Sequence, residues 1–313
     1  MAESQSRLLE QLRKKLEPLD GIPEEPRFHR DEALLKRFLI ASENSVETAA
    51  EMVIATIEWR KNRKPWQQEC QWCLSHPGFH SMRQVGFDLL GRPVIYSCFA
   101  QASTQRGNTA EDCVDHVVYL LESAMAMGAS SWVFVIDCTG MNTNSCHPKL
   151  GKAVTRILSD YYPETLGLAI CVNHNVVFQG VYKAAKVFLN PATVSKVALV
   201  TDKRKRIELF CKHFPPELVE WLLKEMKLNK HQPLPESQAK FWLPPEDPDS
   251  HDPRGCPSYV NEHILPLSHS TTTTQDGAVS RLSKAHPNIL QYYNPPSGND
   301  VKLSAKLQNN TTS

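Results

Sequence analysis

The first 64 residues carry the spacing of apolar positions that is typical of helices. In the segment DEALLKRFLIA the apolar side chains share one face at 3.6 residues per turn. The next segment, SVETAAEMVIATIEWRKN, begins with Ser45, a residue type that favours the N-cap, and ends in basic residues. The pattern therefore predicts a helical N-terminal subdomain over residues 1–64, followed by a connector over residues 65–85.

From residue 86 to residue 243 the pattern alternates between strands and helices. Short apolar runs of strand length occur in RPVIYSCF, WVFVIDC, LGLAICVNH and KVALV. Segments with helical spacing lie between them, and one of these, NTAEDCVDHVVYLLESAMAMG, has Thr109 as a candidate N-cap. Such alternation predicts an α/β fold, with a mainly parallel sheet built from right-handed βαβ units.

The remaining segment, residues 244–313, is polar and rich in proline, as in LPPEDPDSHDPRGCPS and SHSTTTTQDG. It has too few apolar residues to offset the entropy of ordering, so we predict a disordered tail. A small apolar cluster in HPNILQYYNPP is a possible docking motif for a protein partner.

Composition narrows the classes of function. The formal net charge of the 313 residues is +1, so no global field favours nucleic acid, and we expect no nucleic-acid partner. The N-terminal residues lack the apolar core of a signal peptide, and no run reaches the roughly 18 apolar residues of a bilayer span. We therefore expect a cytoplasmic protein, and its nine cysteines fit reduced thiols better than disulfides.

Several segments resemble sites of catalysis or metal binding. CQWCLSHPGFH places Cys70, Cys73, His76 and His80 close together, but only two residues separate the pairs, whereas zinc fingers separate them by about a dozen. Asp137 ends an apolar run, where capping the following loop CTGMN is favoured over catalysis. No nucleophile elbow or dinucleotide loop is present. We therefore expect no catalytic residues, no metal and no cofactor.

The segment from residue 176 to residue 189 is too apolar for an ordinary surface helix. Ten of its fourteen residues are apolar, and Gln179, Lys183 and Lys186 form one narrow polar stripe. Such a helix is either buried in the core or covers something apolar.

Three polar residues flank this helix in the sequence. Thr193 and Lys196 follow it, and Glu164 lies just before the preceding strand. If the two strands are parallel neighbours, Glu164 and Lys196 lie at the same edge of the sheet. A partly buried carboxylate and ammonium need each other or a ligand, and an apolar cavity ending in such groups suits an amphiphile.

Seven motifs occur along the chain in this order: LLKRFL, EWRK, GRPVIY, VIDCTG, YYPETLG, KVFLNPATVSK and FPPELV. With these motifs the chain resembles the CRAL-TRIO lipid-binding family, in particular its branch of phosphatidylinositol/phosphatidylcholine transfer proteins. The resemblance implies a lipid pocket closed by a gate helix, which corresponds to residues 176–189. The apolar gate residues are then Val177, Phe178, Val181, Tyr182, Ala185 and Phe188.

The family pattern also implies roles for the polar residues. Thr193 and Lys196 would bind the phosphate of a phosphoinositol head group, and Glu164 would accept hydrogen bonds from the inositol hydroxyls. The chain departs from the pattern at two places. Basic residues of the family fall on Ile40 and Ser42, where Lys36 or Arg37 could compensate, and hydroxyl residues that serve phosphatidylcholine fall on two pocket-lining aromatics, Trp132 and Phe134.

These observations leave three hypotheses. The first is a carrier that binds phosphatidylinositol and docks transiently on membranes, transferring the lipid or presenting it to other enzymes. The second is a carrier of another hydrophobic ligand, such as a tocopherol, a retinoid or a sterol-like molecule. The third is a lipid-sensing adaptor that binds a protein through its tail. An enzyme is the least supported class.

Overall fold

The computed structural model describes residues 2–243, except residues 77, 103–108, 127, 144–147 and 188, together with residue 253. The predicted disordered tail thus lies outside the described residues, apart from residue 253. Phe188, the last of the predicted gate residues, lies outside them as well.

The described residues form eleven α-helices and five β-strands. The helices are α1 Ala2–Leu16, α2 Glu32–Ala41, α3 Val46–Arg63, α4 Gln71–Ser75, α5 Ala110–Ala126, α6 Pro148–Tyr161, α7 Val176–Lys186, α8 Pro191–Ser195, α9 Lys203–His213, α10 Pro216–Leu228 and α11 Glu236–Ala239. The strands are β1 Arg83–Phe87, β2 Pro93–Cys98, β3 Trp132–Asp137, β4 Leu166–Val172 and β5 Val197–Val200.

Helices α1, α2 and α3 pack around one apolar cluster, which includes Leu12, Leu35 and Val53. The predicted N-cap at Ser45 is confirmed, since its hydroxyl accepts a hydrogen bond from the amide of Thr48 at 3.3 Å. The N-terminal residues therefore form the helical part that the apolar spacing predicted.

The five strands form one sheet in the order β1-β2-β3-β4-β5. The pairs from β2 to β5 are parallel, as the alternation of strands and helices predicted, whereas β1 pairs antiparallel with β2. The sequence pattern missed β1, which begins inside the segment predicted as a connector. This edge strand is short and irregular, with a register shift between Gln84 and Gly86, so its alternation is weak.

The two faces of the sheet are covered differently. On one face Val133, Val135 and Ile170 pack in the main core against Phe210 of α9 and Leu222 of α10. On the other face the alternate strand residues meet α5, α6 and α7. Side chains alternate along a strand, so the residues on the second face are not part of the main core and can line a cavity.

Arg60 of α3 joins the helical part to the sheet. Its guanidinium, 2% exposed, binds Glu25 at 2.6 Å and Glu122 of α5 at 2.8 Å. Tyr162 also donates to Glu122, and burial together with this carboxylate raises the pKa of the Tyr162 phenol. The buried charges are therefore paired, which fixes α3 against α5, and Tyr162 links the residue after α6 to the same carboxylate.

None of the helices in the described part of the chain is both long and apolar enough to cross a lipid bilayer.

Candidate functional site

A cavity of about 580 Å³ lies between the sheet and helices α5, α6 and α7. Its sheet wall is formed by residues on one side of the strands: Ser97, Trp132, Phe134, Ile136, Leu166 and Val197. Its helical wall includes Val117 of α5, Leu150, Val154 and Leu158 of α6, and Phe178 of α7. Most of these side chains are apolar, so the interior of the cavity favours an apolar ligand.

One end of the cavity is polar, and it contains the three residues that the sequence singled out. Glu164, Thr193 and Lys196 all line it. The ammonium Nζ of Lys196 lies 2.7 Å from Oε2 of Glu164, and the two side chains are 25% and 12% exposed. The expectation that Glu164 and Lys196 meet at one edge of the sheet is confirmed, because β4 and β5 are parallel neighbours.

Local backbone geometry fixes this polar end. Asn190 caps the short helix α8, its side-chain oxygen accepting from the amide of Thr193 at 2.6 Å, and Pro191 occupies the first turn. Glu164 has φ of 57°, in the left-handed region that few non-glycine residues adopt. The turn at Pro163-Glu164 thus aims the carboxylate at Lys196, which directly precedes β5.

The polar groups at this end differ in how many hydrogen-bond partners they have. Asn190 donates weakly to the second Glu164 oxygen, at 3.5 Å. The hydroxyl of Thr193 has no hydrogen-bond partner among the residues that the structure describes. A hydroxyl, an ammonium and a carboxylate therefore line one site that can both donate to and accept from a polar ligand.

Helix α7 forms one wall of the cavity and is shorter than predicted. The sequence favoured a helix over residues 176–189, but α7 ends at Lys186, because Asn190 is extended before Pro191 starts α8. The five described gate residues, Val177, Phe178, Val181, Tyr182 and Ala185, are all at least partly buried.

The opposite side of α7 is exposed. Lys183 and Lys186 lie there, and Val176 and Val187 are each 80% exposed. Since Phe178 is its one buried residue, α7 is a covering helix rather than a core helix. This outcome decides between the two explanations that the sequence left open.

The family pattern has basic residues where this chain has Ile40 and Ser42. As the sequence suggested, no other lysine or arginine takes their place in the described cavity lining, where Lys196 is the only one. Ser42 is buried, and its hydroxyl donates to the carbonyls of Leu39 and Ser45. Neither proposed substitute lines this cavity: Lys36 pairs with Glu32 at 2.6 Å, and Arg37 lines a separate cavity beside Arg60. Compensation by these two residues is therefore not what the structure supports.

Two aromatic side chains line the sheet wall of the cavity. Trp132 and Phe134 lie with ring centroids 5.5 Å apart, and the buried indole N–H of Trp132 has no partner among the described residues. Cys171 and Tyr182 pack in a cluster with Phe178, where burial raises the pKa of the Cys171 thiol to about 12 and also raises the pKa of the Tyr182 phenol. This environment suits hydrocarbon chains or a rigid apolar ring system.

Asp137 has the structural role that the sequence favoured. It is fully buried and accepts hydrogen bonds from the amide and hydroxyl of Thr139, from Asn173 and from Tyr96. The loop after β3 is held by this carboxylate, so Asp137 is not available to a substrate.

The cysteine and histidine segment is arranged differently from what its spacing indicated. His76 is exposed, but Cys70, Cys73 and His80 are buried together, and His116 of α5 joins them. The short spacing from Cys73 to His76 therefore does not exclude a metal site, because the histidines beside the cysteines are His80 and His116. The fourth member was missed because it lies 36 positions further along the chain.

Comparisons with known proteins agree with this architecture. Residues 82–222 match the CRAL/TRIO domain. The phosphatidylinositol/phosphatidylcholine transfer protein SFH11 of Arabidopsis thaliana is 25% identical over 201 residues, which are 56% of this chain and 52% of that protein. The SEC14 cytosolic factor of Candida glabrata is 26% identical over 224 residues, which are 63% of this chain and 70% of that protein.

Among solved structures, the crystal structure of Sfh5 has a TM-score of 0.51 and 18% identity, covering 65% of this chain and 82% of that one. This likeness concerns the fold alone. The chain spans between 16% and 52% of the length of three curated relatives that it matches.

Residues 82–222 are thus a CRAL/TRIO domain. The relatives include a phosphatidylinositol/phosphatidylcholine transfer protein, in agreement with the resemblance drawn from the motifs. The predicted fold class, a helical N-terminal part followed by a mainly parallel sheet, is confirmed as well.

Proposed function

We propose that the protein is a lipid carrier that binds phosphatidylinositol and moves it between membranes or presents it to other enzymes. The observation that carries the proposal is an apolar cavity of about 580 Å³ that ends in the Glu164–Lys196 ion pair beside Thr193. The names of relatives that transfer phosphatidylinositol and phosphatidylcholine support the same class. The proposal assigns no catalytic step to the chain.

The polar end matches the chemistry of a phosphoinositol head group. A phosphate diester is an anionic acceptor, and the Lys196 ammonium and the Thr193 hydroxyl are donors three residues apart. The Glu164 carboxylate would accept hydrogen bonds from the hydroxyls of the inositol ring. These bonds would replace part of its ion pair with Lys196. Because the pair is already partly desolvated, the ammonium gives up little water when it meets the phosphate.

The acyl chains would fill the apolar part of the cavity. Each buried methylene contributes about 0.8 kcal/mol, so a lipid leaves only when the cavity is coupled to a membrane. Helix α7 is suited to opening, because it covers the cavity with one side while Val176, Val187 and two lysines face outward. Such a surface favours transient contact with an anionic membrane, which fits a cytoplasmic carrier.

A second candidate is a carrier of a smaller neutral hydrophobic ligand, such as a tocopherol, a retinoid or a sterol-like molecule. Trp132 and Phe134 narrow the cavity, whose volume lies within the range of about 300–1,000 Å³ for small-molecule sites. A ligand oxygen could accept from the indole N–H of Trp132, which is buried. Lys196 is also the only lysine or arginine among the described lining residues.

Native mass spectrometry separates the two candidates. The full chain is expressed in eukaryotic cells, purified without added lipid, and analysed intact, and the released ligand is then identified. Phosphatidylinositol at about one molecule per chain is the expected result. A neutral hydrophobic molecule instead would place the second candidate first, and a chain that carries neither, before or after incubation with vesicles, would contradict both.

A further inference from the structure

We propose that Cys70, Cys73, His80 and His116 bind one zinc ion in a closed, structural site. The four side chains each offer one ligand atom, and these atoms all lie within 4.8 Å of one another. Two cysteines and two histidines are a ligand set that zinc takes in structural sites. His80 also lines the lipid cavity, but the four side chains lie away from its polar end, and the zinc proposal does not depend on the identity of the lipid.

The distances between the side chains match a tetrahedron around zinc. With Zn–S of about 2.3 Å and Zn–N of about 2.0–2.1 Å, tetrahedral geometry places sulfur and nitrogen about 3.6 Å apart. Nδ1 of His80 lies 3.4 Å from Sγ of Cys70 and 3.6 Å from Sγ of Cys73. Nδ1 of His116 lies 3.6 Å from Sγ of Cys73. Three sulfur–nitrogen pairs are thus already spaced as ligands of one ion, and all four ligand atoms lie within 4.8 Å of one another.

The second ring nitrogen of His116 is held as metal-bound histidines usually are. Its Nε2 lies 2.9 Å from the carbonyl oxygen of Met82, and a carbonyl can only accept, so Nε2 carries the proton. In the neutral imidazole, Nδ1 of His116 is then unprotonated and presents its lone pair toward Sγ of Cys73. A backbone carbonyl that fixes the tautomer in this way is a typical outer partner of a zinc-bound histidine.

The cluster is closed to solvent. The exposed fractions of Cys70, Cys73, His80 and His116 lie between 0% and 5%. Trp72 and Trp242 pack against the two cysteines. Four buried protein ligands complete a tetrahedral shell, which is the arrangement of a structural site rather than a catalytic one.

A metal here would join two parts of the chain. Cys70 and Cys73 stand at the start of the short helix α4, His80 lies three residues before β1, and His116 lies in the middle of α5. The ion would therefore tie the segment between the helical part and the sheet to α5, which forms part of the helical wall of the cavity. A helix as short as α4 is marginal by itself and gains order from such a link.

The test begins with the full chain carrying no histidine tag, since a tag binds metal itself. The protein is purified without chelator, and zinc is measured by inductively coupled plasma mass spectrometry. About one zinc per chain is expected. The metal is then removed and replaced by Co²⁺, whose absorption spectrum should show the intense bands of tetrahedral coordination and a thiolate-to-cobalt charge-transfer band.

Matched variants assign the ligands. His116→Asn and Cys73→Ser should reduce bound zinc at least tenfold. His76→Asn, an exposed histidine of the same segment, and Cys211→Ser, an exposed free cysteine, should both keep it. If a ligand variant fails to fold, the cobalt spectrum of the unchanged chain still decides the question.

Four results would overturn the site. The first is a folded, reduced chain that holds less than about one tenth of an equivalent of zinc after reloading. The second is an octahedral cobalt spectrum without the thiolate band. The third is iron in place of zinc. The fourth is a loss of zinc in His76→Asn equal to that in His116→Asn.

Discussion

Replacing Lys196 by methionine tests the head-group proposal most directly. Methionine keeps the apolar stem of the side chain and removes the ammonium that lies 2.7 Å from Glu164. Two effects are expected, one on lipid binding and one on stability, and they can be measured separately.

The effect on binding follows from the hydrogen bond between the ammonium and the lipid phosphate, which the variant cannot form. A hydrogen bond to a charged group contributes about 1.5–3 kcal/mol, and each 1.4 kcal/mol is about tenfold in affinity. Phosphatidylinositol binding should therefore weaken by about 10- to 100-fold. Binding of a neutral hydrophobic ligand should change little, because such a ligand makes no bond to the ammonium.

The effect on stability follows from the burial of the partner. The side chain of Glu164 is 12% exposed, and without Lys196 its carboxylate keeps, among the described residues, only the weak 3.5 Å hydrogen bond from Asn190. Breaking a fully buried pair costs about 3–5 kcal/mol, so this partly exposed pair should cost about 1–3 kcal/mol. The double variant Glu164→Gln/Lys196→Met removes the unpaired charge and should recover most of that stability without recovering lipid binding.

The assay is transfer of labelled phosphatidylinositol between donor and acceptor vesicles, with urea unfolding of the same preparations. Lys186→Met is the matched control, because Lys186 is an exposed lysine on α7. Transfer by Lys196→Met at the rate of the unchanged chain would refute the assigned role. Loss of transfer equal to that of Lys186→Met would indicate a general effect of charge on membrane docking.

The remaining predictions concern α7 and the apolar interior. Phe178→Ala should lower the free energy of unfolding by about 3 kcal/mol, which urea titration measures. This value is at the lower end of the range for a buried phenylalanine, because Phe178 borders a cavity. Gly180→Ala should raise the melting temperature and slow lipid exchange, since an added Cβ meets no atom within 4 Å and alanine favours the helix by up to about 1 kcal/mol. Faster exchange in that variant would argue against α7 as the gate. At pH 8 a thiol reagent should label Cys211 and spare Cys171 in the folded chain, because burial raises the Cys171 pKa to about 12 and so keeps the thiol protonated; equal labelling would contradict that environment.

The elements that the sequence predicted best are those with long, regular patterns. Helix α3 and the parallel strands β2 to β5 were recognised because their apolar spacing persists over several residues. Strand β1 was missed because it contains Gly86 and departs from regular register. Its partner β2, rather than its own pattern, places it in the sheet.

The candidate lipid site was predicted in part. Glu164 and Lys196 were expected at one sheet edge because both precede strands of a parallel sheet, and the 2.7 Å ion pair agrees. The proposed substitutes for the missing cations were wrong, because sequence position alone does not tell which side of α2 faces the cavity. Arg37 instead lines a separate cavity, to which Arg60 also contributes.

The sequence by itself determined the alternation of strands and helices, the apolar surplus of α7 and the motifs of the CRAL-TRIO family, since all of these are local patterns. Tertiary structure decided that α7 covers a cavity, because burial depends on neighbours that are distant in sequence. It also decided that His116, rather than His76, completes the cluster with Cys70, Cys73 and His80. The packing of α5 against the segment before β1 brings those four ligand atoms together. The spacing of residues within one segment cannot predict such a contact with a distant helix.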